Sequence, residues 1–149
     1  MGTCIFWGHR DCPPDITPAL LQAILQVIVK DGVDTFYIGN QGQFDQYVLH
    51  ALKQIKKQKP DINFAIVLAY HPTNKTCYGD DFETVYPEML IGVPPRFAID
   101  RRNQWMLGQA DIVICYIRHQ WGGAARYVEQ AKQRGKKVIN LYQERKENQ

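Results

Sequence analysis

The sequence predicts an α/β fold in which a mostly parallel sheet of five strands has helices on both faces. Short apolar runs alternate with amphipathic segments along the chain, which is the pattern of βαβ units. The run at residues 112–116 is entirely apolar, as expected for a parallel strand that is buried on both sides. A chain of 149 residues without repeats or linkers has the size of one domain. We therefore expect one domain over residues 1–142 and a polar tail at 143–149.

The first two βα units are predicted in the N-terminal part of the chain. Residues 4–7 form the first apolar run. The Thr-Pro pair at 17–18 predicts the N-cap and first position of a helix, and the Asp-Gly pair at 31–32 ends it. A second strand is predicted at 35–38. Apolar residues at helical spacing then predict a second helix at 44–55, with a basic outer face.

The remaining elements lie on either side of a long connection. Residues 69–95 are rich in proline, tyrosine and acidic residues, and the segment is longer than an ordinary connection in a compact domain. Such a segment is typical of a functional loop or lid. The same periodicity arguments predict strands at 62–68, 112–116 and 138–141, and helices at 97–110 and 122–134.

Composition and charge limit the classes of function. The formal net charge of +3, from 18 Lys and Arg against 15 Asp and Glu, is far below the bias of a dedicated nucleic-acid module and fits a small anionic ligand. No apolar run approaches the ~20 residues that span a bilayer, and the chain begins with a strand instead of a signal peptide. We therefore expect a cytoplasmic protein with no membrane partner. The cysteines form no C-x-x-C pair and are expected to be reduced: Cys4, Cys12, Cys77 and Cys115.

Loops after three strands predict one small anion site. In an open parallel sheet of order 3-2-1-4-5, ligands bind beyond the carboxyl ends of the strands, where the order reverses beside the first strand. A GHR motif follows the first strand, and glycine-containing loops that lead into helices follow the second and the fourth. Glycines let backbone N–H groups approach an anion, helix N-termini attract it, and an arginine can grip a phosphate as a planar fork. The candidate ligand-binding residues in these loops are Gly8, His9, Arg10, Gly39, Asn40, Gln41, Gly42, Asp45, Gly122 and Gly123.

The same motifs, in this order, resemble the SLOG superfamily. The resemblance covers nearly the whole chain and includes GHR, the glycine loop after the second strand, DRRNQWMLGQADIVICYI at 100–117, and GGA before the helix that leads to GKKVINL. It is closest to small bacterial and phage proteins that begin with a GHR motif. The superfamily also contains the lonely-guy phosphoribohydrolases, the Smf/DprA DNA-processing proteins and nucleotide-sensing domains of antiviral systems. The resemblance implies a Rossmann-like fold, a nucleotide-derived ligand that contacts Arg102 and Asn103, and a homodimer paired through the helix that contains Arg102.

The lonely-guy enzymes define what an enzymatic activity would require. In that family an arginine and a glutamate act on an N-glycosidic bond, and the resemblance implies Arg102 and Glu129 as the corresponding catalytic pair. The phosphate loop of the family retains only its double glycine here. Its proline, third glycine and threonine are replaced by Trp121, Ala125 and Arg126. This departure favours binding over hydrolysis.

Three functions are therefore left open. The first is a sensor or sequestering protein for a nucleotide-derived small molecule, such as an ADP-ribose-like compound, a nucleoside phosphate or a cyclic nucleotide. The second is a phosphoribohydrolase-like N-glycosidase that acts on nucleoside monophosphates. The third is DprA-like binding of single-stranded nucleic acid. We favour the first, because the third is supported only by a lysine cluster at the end of the second predicted helix and just after it: Lys53, Lys56, Lys57 and Lys59.

Two further patterns could bind a ligand or have only a structural role: two His/Cys pairs and the adjacent arginines at 101 and 102. His9-x-x-Cys12 and His71-x5-Cys77 have unusual spacing for a zinc site, so neither a metal nor another cofactor is expected. Of two adjacent arginines on a helix, one must point away from any given site. We assign Arg102 to the site.

Overall fold

A computed structural model describes residues 2–40, 42–71 and 82–142, and it contains one sheet of six parallel strands in the order β4-β3-β2-β1-β5-β6. The predicted order 3-2-1-4-5 is confirmed, since it corresponds to β3-β2-β1-β5-β6. The elements are β1 (Gly2–Gly8), α1 (Thr17–Asp31), β2 (Val33–Ile38), α2 (Gln43–Gln58), β3 (Asn63–Val67), β4 (Glu83–Val85), α3 (Pro95–Gln109), β5 (Ile112–Tyr116), α4 (Gly123–Gln133) and β6 (Lys137–Asn140).

The prediction of five strands was wrong by one edge strand. The additional strand β4 pairs with β3 through the register Ala65↔Glu83 to Val67↔Val85. Two of its three side chains are exposed, so it has none of the alternating burial that reveals a strand in a sequence. It lies within the predicted loop at 69–95, of which residues 72–81 are outside the described residues.

Two apolar layers cover the two faces of the sheet. Because side chains alternate along a strand, Phe6 in β1 faces one layer and Trp7 faces the other. The Phe6 side packs against α1 and α2, where Leu20 and Phe44 are buried. The Trp7 side packs against α3 and α4, where Met106 is completely buried. The predicted placement of helices on both faces is confirmed.

The start of α1 differs from the prediction. A single 3₁₀ turn at Pro14–Ile16 runs directly into the helix, so the backbone is already helical at the N-cap residue, Ile16. Thr17 is therefore not the N-cap, and its hydroxyl donates to the carbonyl of Pro14 at 2.9 Å. The predicted end is confirmed, because Gly32 adopts the left-handed conformation, with φ 68°, that a helix C-terminus favours in glycine.

The described cysteines are buried, and none of the described helices could cross a membrane. Cys4, Cys12 and Cys115 are free thiols, whereas Cys77 lies outside the described residues. Burial raises the pKa of Cys12 and of Cys115 to about 12, so both thiols are protonated at neutral pH.

In the described ranges, no helix combines the length and apolar character that a membrane span requires.

Candidate functional site

A cleft of about 570 Å³ opens at the carboxyl ends of β1, β2 and β5, at the place where the sheet order predicts a ligand. The loops after these strands meet there, and α3 contributes side chains from its second and third turns. The cleft brings together most of the residues proposed from the sequence: Gly8, His9, Arg10, Gly39, Asp45, Arg102, Asn103, Gly122 and Gly123.

Gly8 has a packing role at the floor of the cleft. A Cβ atom at this position would lie 2.4 Å from the ring of Phe44, in the first turn of α2. Real Cβ contacts are never this short, so only glycine lets β1 end directly beneath α2. Gly8 was predicted to bind ligand; it lines the cleft, and the Phe44 ring gives a packing reason for glycine at this position.

The guanidinium of Arg102 is buried beneath the loop that follows β2. Only 3% of the residue is exposed, and its Nη1 donates to the carbonyl of Val67 at 3.0 Å and lies 3.5 Å from Oδ1 of Asn40. A Cβ at Gly39 would lie 3.1 Å from the same nitrogen, so glycine allows this close approach. Burial lowers the pKa of Arg102, and the nearby Asp45 carboxylate partly offsets that effect. Arg102 therefore places a fixed positive charge against the ends of two strands, β2 and β3.

Asn103 holds this arginine in place. Its Oδ1 accepts a hydrogen bond from Nε of Arg102 at 2.9 Å and a second one from Nε1 of Trp7 at 3.3 Å. Asn103 is itself buried, with 8% exposure. The amide thus couples the guanidinium to the end of β1. It acts as a positioning residue for the charge.

Arg10 is an exposed arginine of the cleft. It makes no hydrogen bond or ion pair with the residues that the structure describes. Its side chain passes close to Gly42, where a Cβ would lie 3.2 Å from Cγ of Arg10. Gly42 has φ 135°, a conformation that side chains rarely allow, and it is the N-cap of α2. The absence of a side chain at Gly42 thus leaves room for the side chain of Arg10.

The N-terminus of α4 forms another wall of the cleft. Gly122, the N-cap, has φ 96°, and because glycine has no side chain it leaves the first N–H groups of the helix without a side-chain cap. Gly123 and Ala124 follow it and line the cleft. The first N–H groups of a helix have no partner within the helix, and together they form an anion-binding end. This wall therefore supplies backbone donors and positive potential.

His9 contributes a buried imidazole with an unused nitrogen. The residue is 7% exposed, and its Nε2 has no hydrogen-bond partner within the described part of the chain. Burial, and then the neighbouring His119, lower the pKa of His9, so the ring is neutral at pH 7. A buried polar atom without a partner costs free energy unless a ligand or water satisfies it.

Three stacked rings form a column that extends outward from His9. The His9 and His119 rings are 3.7 Å apart at an angle of 15°, and the His119 and Trp121 rings are 3.9 Å apart at 12°. Nδ1 of His119 is also 3.0 Å from the backbone oxygen of Trp121. Trp121 ends the column with 71% of its surface exposed. The sequence analysis missed His119, since nothing in its local pattern shows that it stacks on His9.

Two charged clusters flank the opening. Arg118 and Asp11 form an exposed ion pair at 2.5 Å, which joins the loops after β5 and β1. Asp100 of α3 accepts hydrogen bonds from the Tyr127 hydroxyl and from Arg126 of α4, the latter at 3.3 Å. Burial and the Asp100 hydrogen bond raise the pKa of Tyr127. Asp11 and Asp100, two of the carboxylates that line the cleft, are thus paired with cations.

Asn140, which the sequence analysis also missed, positions the loop after β5. Its Oδ1 accepts from the N–H of Ile117 at 3.0 Å, and its Nδ2 donates to the carbonyl of Ile117 at 2.9 Å. The Asn140 amide thereby makes the pair of hydrogen bonds with Ile117 that the backbone of a neighbouring strand would make. Asn140 belongs to the GKKVINL segment that carried the resemblance, but only the fold brings it to this loop.

Some proposed site residues lie elsewhere. Glu129 is exposed and lines a second, open groove along α4 and β6, whereas Arg102 lines the cleft. Asn40 and Gly42 adjoin cleft residues without lining the cleft themselves, and Gln41 is outside the described residues. Within the described ranges, no group of three or more His, Cys, Asp or Glu side chains could hold a metal ion. The His71 and Cys77 pattern, from which no metal site was expected, extends outside these ranges.

Comparisons with known proteins bear on the fold. No protein-family model matches the chain, and no curated protein matches its sequence. The structure is similar to the X-ray structure of DNA processing protein A (DprA) from Streptococcus pneumoniae, with a TM-score of 0.58 and 15% sequence identity. The match covers 93% of this chain and 49% of that chain, so this chain spans about half the length of DprA. The similarity shows that this chain shares a Rossmann-like fold with about half of DNA processing protein A.

Proposed function

We propose that this protein binds a nucleotide-derived small molecule in the cleft, as a sensor or a sequestering protein. The observation that carries the proposal is the convergence of hydrogen-bond donors in one cleft: Arg10, the N-terminus of α4 and the buried charge of Arg102. The unpartnered Nε2 of His9 adds a buried polar atom that a ligand would satisfy. The volume of about 570 Å³ is in the range of small-molecule sites, roughly 300–1,000 Å³.

The two arginines are suited to different tasks. Arg102 already uses Nε and Nη1 on protein acceptors, so it contributes mainly electrostatic potential. Arg10 is exposed and unpaired within the described residues, and its planar fork is free for a phosphate. The proposal therefore assigns direct phosphate contact to Arg10 and to the backbone of Gly122 and Gly123. The closer relationship to the small GHR-motif proteins is part of the same proposal.

The experiment is a binding screen with a matched pair of variants. Purified protein is titrated calorimetrically with nucleoside monophosphates, ADP-ribose and cyclic nucleotides. Arg10→Ala should weaken binding of the best ligand by about 10- to 100-fold, as expected for charged hydrogen bonds of roughly 1.5–3 kcal/mol. Arg101→Ala, an exposed arginine of α3 that does not line the cleft, is the control. Equal affinities of the two variants would contradict the proposed site.

Hydrolysis is the less supported activity of this site. The inferred catalytic pair is divided, because Arg102 lines the cleft and Glu129 lines the groove along α4 and β6. Asp100, a carboxylate in the cleft, is engaged by Tyr127 and Arg126. We expect every bound nucleotide to be recovered unchanged by chromatography after incubation. Release of a free base would instead establish an N-glycosidase.

Binding of single-stranded nucleic acid is the second candidate function. It is supported by the fold shared with a DNA processing protein. The lysine cluster on α2 supports it less than the sequence suggested, because Nζ of Lys56 is bonded to the carbonyls of Pro60, at 2.9 Å, and Ile62. The cleft lining contains none of the four lysines.

We also propose that the protein is a cytoplasmic homodimer that pairs through α3. Large apolar side chains are exposed on α3 and just before it: Met89 at 45%, Ile91 at 69% and Phe97 at 43%. These three residues are close in sequence, and contiguous exposed apolar surface marks contact sites. Light scattering during size-exclusion chromatography measures the oligomer, and Ile91→Glu should convert a dimer into a monomer.

A further inference from the structure

The stacked rings beside the cleft suggest which part of the ligand is recognised outside the phosphate site. Resting on the proposed function, we infer that Trp121 is a stacking platform for the nucleobase, and that the ligand is a free nucleotide with an aromatic base. The inference depends on the alignment of His9, His119 and Trp121 and on the exposure of the last ring.

The column holds the indole in a defined orientation. Angles of 15° and 12° and separations of 3.7 and 3.9 Å keep all three rings nearly parallel. Its inner end is fixed because His9 is buried and also meets the Tyr116 ring edge-on, with centroids 6.4 Å apart. An exposed tryptophan held in this way loses little conformational freedom when another planar group stacks on it.

The exposed face of the indole is open to a ligand. Trp121 is 71% exposed, and among the described residues His119 is its one stacking partner. A tryptophan normally buries much of its large apolar surface, so this degree of exposure beside a cleft requires an explanation. A stacked base would cover that surface.

Trp121 does not itself line the cleft, but the chain places it directly before residues that do. The next two residues, Gly122 and Gly123, line the cleft and form the start of α4. Two residues of chain span at most ~7 Å, so the stacking face and the phosphate donors are within reach of one small molecule. A phosphate at the donors and a base on the indole would therefore be joined by a single ribose.

The ligand class follows from this geometry. Stacking on tryptophan tolerates any base, because every base has a π-face, and it strengthens with the size of the ring system. We expect purine nucleotides to bind more tightly than pyrimidine nucleotides, and ribose 5-phosphate to bind weakest. An exposed stacking ring of this kind also suits a base at the end of a nucleic-acid strand, which titration with an oligonucleotide distinguishes.

The test compares Trp121→Ala with the wild-type protein, using AMP and ribose 5-phosphate as probes in calorimetric titrations. Loss of one stacked base should weaken AMP binding by about 5- to 100-fold and leave ribose 5-phosphate unchanged. Trp121→Phe should retain most of the AMP affinity. Val29→Ala removes an apolar side chain of α1 that is as exposed as Trp121, at 71%, and lies outside the cleft, and this variant should bind AMP as the wild type does.

The outcomes separate this inference from the proposed function. If AMP binds and Trp121→Ala binds it equally well, the stacking platform is refuted and the proposed function survives. If neither AMP nor any other nucleotide of the screen binds the wild-type protein, both are refuted. Binding of an oligodeoxyadenylate of about ten nucleotides more than tenfold tighter than AMP would overturn the assignment to a free nucleotide.

Discussion

At Gly8 the end of β1 lies directly against the Phe44 ring of α2. A Cβ placed there would come within 2.4 Å of that ring, so Gly8→Ala forces the helix or the strand to shift. Overpacking of this kind costs about 1–3 kcal/mol, and we expect the free energy of unfolding to fall by that amount. The measurement is urea denaturation followed by circular dichroism.

Gly108 provides the matched control for this substitution. It lies in α3, a Cβ added to it would meet no neighbouring atom within 4 Å, and its φ is not positive. Gly108→Ala should therefore raise the free energy of unfolding by up to about 1 kcal/mol, because alanine favours helix. Opposite signs at the two glycines are the expected result. Equal effects would show that Phe44 does not restrict Gly8.

The neutral imidazole of His9 makes stability depend on pH. Burial and then His119 lower the pKa of His9 below its usual 6.5, while Asp11 partly opposes the shift. As the pH falls below 6.5, the unfolded chain binds a proton more readily than the folded one. The contribution of His9 is thus complete above that pH and is lost as the pH falls through the lowered pKa.

The corresponding experiment compares the wild-type protein with His9→Gln. Between pH 7.5 and 5.5 the melting temperature of the wild type should fall more steeply than that of the variant. Only the wild type has a buried imidazole at this position, and burial disfavours its protonation. Differential scanning calorimetry across that range measures the two slopes. Parallel slopes would mean that His9 titrates as it does in the unfolded chain.

At the scale of elements, β6 holds the loop that shapes the cleft through one side chain. Asn140 makes hydrogen bonds with both backbone groups of Ile117, at 3.0 and 2.9 Å. Asn140→Ala should lower the free energy of unfolding by about 1 kcal/mol, the typical net value of such bonds in an exposed setting. It should also weaken nucleotide binding several-fold, because the loop that leads to Gly122 loses its support.

Asn63 is the control for that experiment. It is an exposed asparagine at the start of β3, remote in the sheet order from β6. Asn63→Ala should leave nucleotide binding unchanged. If calorimetric titration found the same affinity for Asn140→Ala as for Asn63→Ala, Asn140 would have only a structural role.

The elements show what a sequence can and cannot predict. Each strand with buried side chains was predicted to within two residues, because periodic burial appears in the sequence itself. The edge strand at Glu83–Val85 was missed, since its pairing is made by backbone atoms and its side chains are mostly exposed. Of the site, the glycine loops were found from local motifs. Contacts such as His9 with His119 and Asn140 with Ile117 could not be found, because they join residues distant in sequence.

At the scale of the whole molecule, the sheet order assembles the cleft from both halves of the chain. β1 lies between β2 and β5, so Arg10 from the N-terminal half meets Arg102 and Gly122 from the C-terminal half. A ligand held by both halves binds the folded state and not the unfolded chain. At about 100 times its dissociation constant, it would stabilise the fold by ~2.7 kcal/mol.

The whole-molecule charge decides how the two candidate functions are distinguished. The net charge of +3 is modest, and the lysines of α2 lie outside the cleft. A free nucleotide releases few counterions on binding, whereas a single strand that contacts Z phosphates gives a slope of about −0.7Z in a plot of log K against log salt. We expect a shallow slope for AMP, and we expect Lys53→Gln combined with Lys57→Gln to leave AMP binding unchanged.

Fluorescence anisotropy with a labelled oligodeoxyadenylate between 50 and 300 mM salt measures the competing mode, which is binding of a single strand. A steep slope that the double lysine variant flattens, together with tight binding of the oligonucleotide, would make single-stranded nucleic acid the ligand and the α2 face its path.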